Sequence, residues 1–170
     1  MTATRIISFS EGGDYTEIYH YAANLRGIVI NTITMLERTI DTFLAYHYTK
    51  DNSSRLELMN TVFATKHISF EAKRMIFDHL TSTHHAEYKK LNLEGVHAKL
   101  DKFNKHRNAL AHYVLDLKPD AIELFKKEKR VTFLKFEKSI ENVTYTVEEI
   151  LAIESEIYSF IKPIAKMLGI

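Results

Sequence analysis

From Ile18 onward, apolar residues return every three or four positions: Ile18, Ala22, Leu25, Val29, Ile33, Leu36, Ile40, Phe43, and then His47. A helix turns about 100° per residue, so this spacing lays them on one stripe and predicts a long helix over about residues 15–48. Ser10-Glu-Gly-Gly-Asp14 reads as a turn with Asp14 placed to cap that helix, and Gly27 is its weak point. Asp51-Asn-Ser-Ser54 follows as a loop, and Ser54-x-x-Glu57 reads as a capping box for a short helix over about 55–65. Ser69 caps the next helix, which carries Phe70, Ile76, Phe77 and Leu80.

Ser82-Thr-His-His85 is polar and reads as a loop. Val96, Leu100, Phe103, Leu110 and Val114 then predict a helix from about Leu93 to Leu117, with Pro119 outside it or in the first turn of another. At Val131-Thr-Phe-Leu-Lys-Phe136 the pattern switches to alternation, and Val143-Thr-Tyr-Thr146 repeats it after a polar turn. That pair reads as a hairpin, the only strand signal in the chain. Thr146-x-x-Glu149 is a second capping box, opening a last helix through Ile150, Ile153, Ile157 and Ile161 that Pro163 should kink or end. The expected fold is all-α: a helical bundle with a small β-hairpin inserted before the last helix, forming one domain over residues 1–170.

Composition narrows the chemistry. The chain has 170 residues, 45% hydrophobic and 26% charged, the balance of an ordinary globular domain. There is no cysteine, which removes thiolate metal sites, disulfides and a cysteine nucleophile. The opening residues lack an apolar run of signal-peptide length, and no stretch approaches the ~18 apolar residues of a membrane span, so a cytoplasmic protein with no membrane association is expected. Net charge is +1, but Lys99–Lys138 holds 11 Lys and Arg against 6 Asp and Glu. This local excess of five either attracts phosphate or is a solvated face. The run Lys126-Lys-Glu-Lys-Arg130 invites the same two readings, contact with an RNA backbone or a solvated turn.

Lys105-His-Arg-Asn-Ala-Leu-Ala-His-Tyr113 carries the candidate chemistry. It contains Arg-x4-His, Arg107 to His112, with the polar Asn108 directly after the arginine. This resembles the signature of the HEPN superfamily, helical domains that include many metal-independent ribonucleases, whose motif is Arg-(polar)-x3–5-His on a helix late in a bundle. The resemblance covers most of the chain in layout, with a long early helix bearing Glu37 and Arg38, but only about six residues in identity. Spacing alone is a weak signal, because a second Arg-x4-His, Arg74 to His79, occurs in the middle helix. Asn108 and the small Ala109 and Ala111 distinguish the Arg107 segment.

Five residues along a regular helix turn the second side chain about 140° from the first. Arg107 and His112 therefore converge only if the helix is irregular, if the arginine curls round, or if two copies share the site. HEPN enzymes resemble the last case, and a homodimer is expected on that basis. The implied reaction is RNA cleavage in which the 2′-hydroxyl attacks its own phosphate, leaving a 2′,3′-cyclic phosphate and needing neither metal nor other cofactor. A histidine suits the proton transfer at this position, because an unperturbed imidazole titrates at about pH 6.5, near working pH, and His112 would take that role. Arg107 suits the phosphoryl oxygens, through its planar fork of donors. Asn108 would orient the phosphate or the imidazole, and Lys105 and His106 would contact RNA.

Each of these residues has a structural alternative. Arg107 can pair with Asp101, with Asp116 or across to another helix, His112 can be a hydrogen-bonded core histidine, and Asn108 a buried polar contact. Tyr113 invites comparison with HEPN toxins that carry a tyrosine near the motif, but here it follows His112 directly, which puts modification by a nucleotidyltransferase antitoxin in doubt. Glu37 is either an acidic site residue or, as favoured, an exposed partner for a cation. His79, His84, His85 and His97 lack the i, i+4 spacing of helical metal ligands. Tyr15, Tyr19, Tyr21, Tyr46 and Tyr48, near the ends of the first helix, read as packing and interface residues. The expectation is a metal-independent endoribonuclease in a toxin–antitoxin or antiviral defence setting, with RNA, a second copy and an antitoxin or regulatory protein as partners. The alternative is a catalytically silent HEPN-type module that binds protein or nucleotide.

Overall fold

The computed structural model describes residues 13–65, 68–91, 93, 95–136 and 140–170. Its elements in order are α1 (Gly13–Tyr48), α2 (Asn52–Leu58), a π-helical turn (Met59–Phe63), α3 (Phe70–Thr83), α4 (His85–Tyr88) and a 3₁₀ turn (Lys89–Leu91). Then come α5 (Val96–His112), β1 (Val114–Leu115), α6 (Pro119–Glu128), β2 (Val131–Phe136), β3 (Ile140–Tyr145) and α7 (Val147–Leu168). The described fold is mainly helical, with one three-stranded antiparallel sheet in the order β1-β2-β3.

The long helix is the axis of the molecule. Its stripe from Ile18 to Phe43 is fully buried, packed chiefly against α7 and next against α5. Each such aliphatic side chain contributes about 1.5–3 kcal/mol by leaving water. Four of its threonines, Thr32, Thr34, Thr39 and Thr42, each donate to the carbonyl four residues back, so their hydroxyls are satisfied without breaking the helix. The helix runs unbroken through Gly27, where an added Cβ would meet open space. It is already helical at Gly13, so Asp14 lies inside it rather than at a cap, and the turn read before it falls mostly outside the described residues.

Several boundaries differ from expectation for local reasons. Asp51 rather than Ser54 caps α2, its Oδ1 accepting from the Ser54 amide at 2.9 Å, and the helix then widens into the π turn. Ser69 caps α3 as expected, but α3 takes in Ser82 and Thr83, and only His84 interrupts the path into α4. At the other end of the bundle, α5 starts after Gly95, which sits in the left-handed region at φ 66°, and stops at His112. Tyr113 is extended, and Val114 and Leu115 pair with Leu134 and Phe133. The sheet thus gains a third strand, and Val114 is 54% exposed instead of lying on the core stripe.

Pro119 occupies the first turn of α6, where its missing N–H costs nothing. Asp116, buried, prepares that turn by accepting from the Lys118 amide at 3.0 Å. The Thr146–Glu149 capping box forms with both of its hydrogen bonds. Pro163 does not end α7, which continues to Leu168 with Ile164 and Leu168 buried; burial of that last turn outweighs one lost backbone bond. No described helix is long and apolar enough to cross a membrane.

Candidate functional site

On α5, Phe103, Leu100 and Leu110 face the core, which turns Asn104, Arg107 and Asn108, at i, i+3 and i+4, to another face. That face forms one wall of a cleft of about 400 Å³. The other walls are Glu37 of α1, the segment with Thr65, Ile68 and Ser69, and the first turn of α3 at Phe70 and Glu71. Ser69 fixes that turn, its Oγ accepting from the Ala72 amide at 3.2 Å. Arg107 is half-buried in the cleft and makes no hydrogen bond or ion pair with any described residue. Asp101 engages Arg74 and Lys105 instead, and Asp116 is turned into its own backbone.

Beneath the cleft lies a charged network centred on Lys73. Lys73 is only 2% exposed, and its Nζ donates to Glu37 Oε1 at 2.8 Å, Asp41 Oδ2 at 3.0 Å and the Phe63 carbonyl at 2.8 Å. An ammonium has three donors, and all three are used. Burial pushes the Asp41 carboxyl up from the ordinary range, and the hydrogen bond from Lys73 opposes that rise. The next residue, Arg74, is also buried and bridges Glu71 Oε1 at 2.5 Å and Asp101 Oδ1 at 3.4 Å. The carboxylates that line the cleft, Glu37 and Glu71, are therefore each held at one oxygen by a cation of α3. Arg107 is the cation there with no described partner. Glu37 is thus not simply an exposed ion-pair partner: it is tied to a buried lysine and also forms a wall of the cleft.

The other candidates lie elsewhere. His112 is the last residue of α5, exposed, without a described partner and outside the cleft lining. Helix α5 is regular through Arg107 and His112, so irregularity does not bring the two side chains together, and within one chain they do not share the cleft. Lys105 points into solvent and bonds Asp101 at 2.8 Å. His106 turns to the sheet: its Nδ1 lies 3.0 Å from the Tyr145 hydroxyl, with the rings edge to face. Burial, followed by nearby Lys102, lowers its pKa, while burial raises that of Tyr145 to about 12. The arrangement suits a neutral imidazole accepting from the phenol. The chain just past His112 is pinned by Arg26, whose Nη2 donates to the Tyr113 carbonyl at 2.7 Å while its guanidinium lies over Phe133.

The remaining charged features lie away from the cleft. In the basic run, Lys127 pairs with Glu123, Arg130 with Glu128, and Lys129 with Glu17 on α1. His97 faces Asp78 at 3.4 Å, and among the described residues no group of three His, Asp or Glu is arranged to hold a metal ion. Tyr21 packs on Phe125, whereas Tyr15, Tyr19, Tyr46 and Tyr48 remain exposed.

Lys73 left a legible trace, since it stands between Phe70 and Phe77 on the buried stripe of α3, where a lysine needs acceptors. Asn104 left a fainter one, as a polar residue one turn before Arg107. Comparison of the chain with protein-family models, with curated proteins and with solved structures found no match.

Proposed function

We propose that this protein is a metal-independent endoribonuclease whose active site is completed by a second copy of the chain. The observation that supports this reading most is the state of Arg107. It is an arginine without a carboxylate partner among the described residues, half-buried in a polar cleft with Asn108, while His112 stands exposed about one and a half turns further along the same helix. An unpaired guanidinium in a cleft suits a phosphodiester, and an accessible imidazole suits proton transfer to or from ribose and leaving oxygens. Because one chain separates the two groups, the reading requires Arg107 of one protomer to meet His112 of the other across a two-fold axis. RNA supplies its own 2′-hydroxyl nucleophile, so two such residues are sufficient for the chemistry. The HEPN resemblance supplies the wider setting: a cytoplasmic toxin or antiviral effector restrained by an antitoxin or regulatory protein.

The test is cleavage of total RNA in EDTA by the parent, Arg107→Ala and His112→Ala, with analysis of the product ends. Cyclic-phosphate ends from the parent, and losses of about 10²-fold or more in each variant, are expected. Mixing the two inactive variants should then restore about a quarter of the parental rate, since random reassortment leaves one intact composite site in every mixed dimer. No recovery from well-mixed dimers overturns the shared site.

A second reading is favoured by the separation of Arg107 from His112 within the chain: a HEPN-type module that binds nucleotide or protein without cutting. Binding of RNA to a folded dimer that never cleaves it would select that reading.

A further inference from the structure

We propose that the cleft between α1, α3 and α5 is a guanine-selective nucleotide subsite. Arg107 holds the phosphate, and Glu37 accepts from the N1–H and N2–H₂ edge of the base. The inference rests on the ribonuclease reading for its choice of a nucleotide ligand, and adds to it which base that site prefers.

The cleft falls within the range of small-ligand sites, ~300–1,000 Å³. It is not a uniformly positive groove. Arg107 offers donors only, and Glu37, exposed to 28%, offers acceptors only. A ligand that satisfies both must bring an anion to one wall and hydrogen-bond donors to another. Glu37 is also held in place, because Oε1 is fixed by a lysine that is itself buried and saturated by three acceptors, while Oε2 has no described partner. Such a carboxylate cannot swing away to avoid an acceptor, so it discriminates.

Among the four RNA bases, guanine alone presents two adjacent donors on its Watson–Crick edge with no acceptor between them. Adenine and cytosine would place a ring nitrogen lone pair against the carboxylate, and uracil a single N–H flanked by two carbonyls. Single-stranded RNA is recognised on these edges. Asn104 and Asn108, each with one acceptor and two donors, lie on the α5 wall beside Arg107 and suit guanine O6 or the ribose hydroxyls. Glu71, on the α3 side, is partly neutralised by Arg74, which lessens its repulsion of phosphate.

The experiment is calorimetric titration of the full chain with 3′-GMP, 3′-IMP, 3′-AMP, 3′-CMP and 3′-UMP, repeated with Glu37→Gln. Preference for 3′-GMP over the other three RNA nucleotides by about tenfold or more is expected. 3′-IMP, which lacks the exocyclic amine, should fall between, and this ligand-side change requires no mutation. Glu37→Gln keeps an oxygen for Lys73 but replaces an acceptor by a donor, and should remove most of the preference. Equal binding of all five, no binding of any, or a guanine preference untouched by Glu37→Gln overturns the proposal. The two proposals fail separately. RNA cleavage with no guanine preference would sink this one alone, and guanine-selective binding without cleavage would sink only the ribonuclease reading.

Discussion

Arg74 to His79 on α3 and Arg107 to His112 on α5 have the same spacing, and the fold uses the two arginines in opposite ways. Arg74 is buried and spent on Glu71, three residues before it, and on Asp101 from α5. Arg107 has Phe103, Asn104, Leu110 and Ala111 at the positions one turn away, none a carboxylate, and no described residue from another element pairs with it. One arginine helps to fasten two helices; the other is left able to meet an anion. What separates them is whether a carboxylate is set at bonding distance, which a spacing motif does not encode.

The sharpest way to break this contrast is to remove each cation in turn and read activity and stability together. Arg107→Ala should lower RNA cleavage by about 10²–10³-fold, as loss of a charge-stabilising donor does, with the urea midpoint almost unmoved. If Arg107→Ala instead unfolds the protein while cleavage per folded molecule is unchanged, Arg107 is a fastener like Arg74 and the contrast is gone.

Lys73→Met should give the largest loss of stability, about 3–5 kcal/mol, because it leaves buried Asp41 without its counter-charge and strips the Phe63 carbonyl of its donor. Adding Asp41→Leu to Lys73→Met should recover part of that loss, and urea unfolding of the single and double variants checks both. Arg74→Met should cost less, about 1–3 kcal/mol, since Glu71 and Asp101 are themselves substantially exposed and can return to water. Its cleavage rate per folded molecule should stay within a few-fold of the parent.

Much of the fold could be read from the sequence where one force dominates. The α1 stripe, the Ser69 cap and the Thr146–Glu149 box are local patterns, and each forms where its pattern lies; the hairpin forms too, but its second strand starts at Ile140 rather than Val143 and leaves Thr146 to cap α7. Sequence pattern and structure part where distant partners decide. Val114 continues the helical spacing of α5, but β2 offers backbone hydrogen bonds, and Arg26 captures the Tyr113 carbonyl at the point of departure.

The candidate site divides in the same way. Arg107 and Asn108 were legible as a motif. Lys73, on which the geometry of Glu37 depends, leaves only the trace of a lysine on an apolar stripe, and its partners emerge once α1 supplies two carboxylates against it.

The smallest expected effect concerns His106, beside Arg107 in sequence but turned to the sheet. Its pKa is lowered in the folded protein, chiefly by burial, so around and below its ordinary value the unfolded chain binds the proton more readily than the fold does. The stability it contributes is complete above about pH 6.5 and is lost as pH falls through the lowered folded value. Urea midpoints measured at steps from pH 7.5 to 5 should decline, and His106→Gln, which retains a polar group toward Tyr145, should flatten that decline. RNA affinity at pH 7.5 should be unchanged in the variant if His106 serves the sheet. A loss of affinity comparable to that of Arg107→Ala would instead return His106 to the RNA surface. The face of α5 that meets the ligand would then be wider than the cleft defined by Asn104, Arg107 and Asn108.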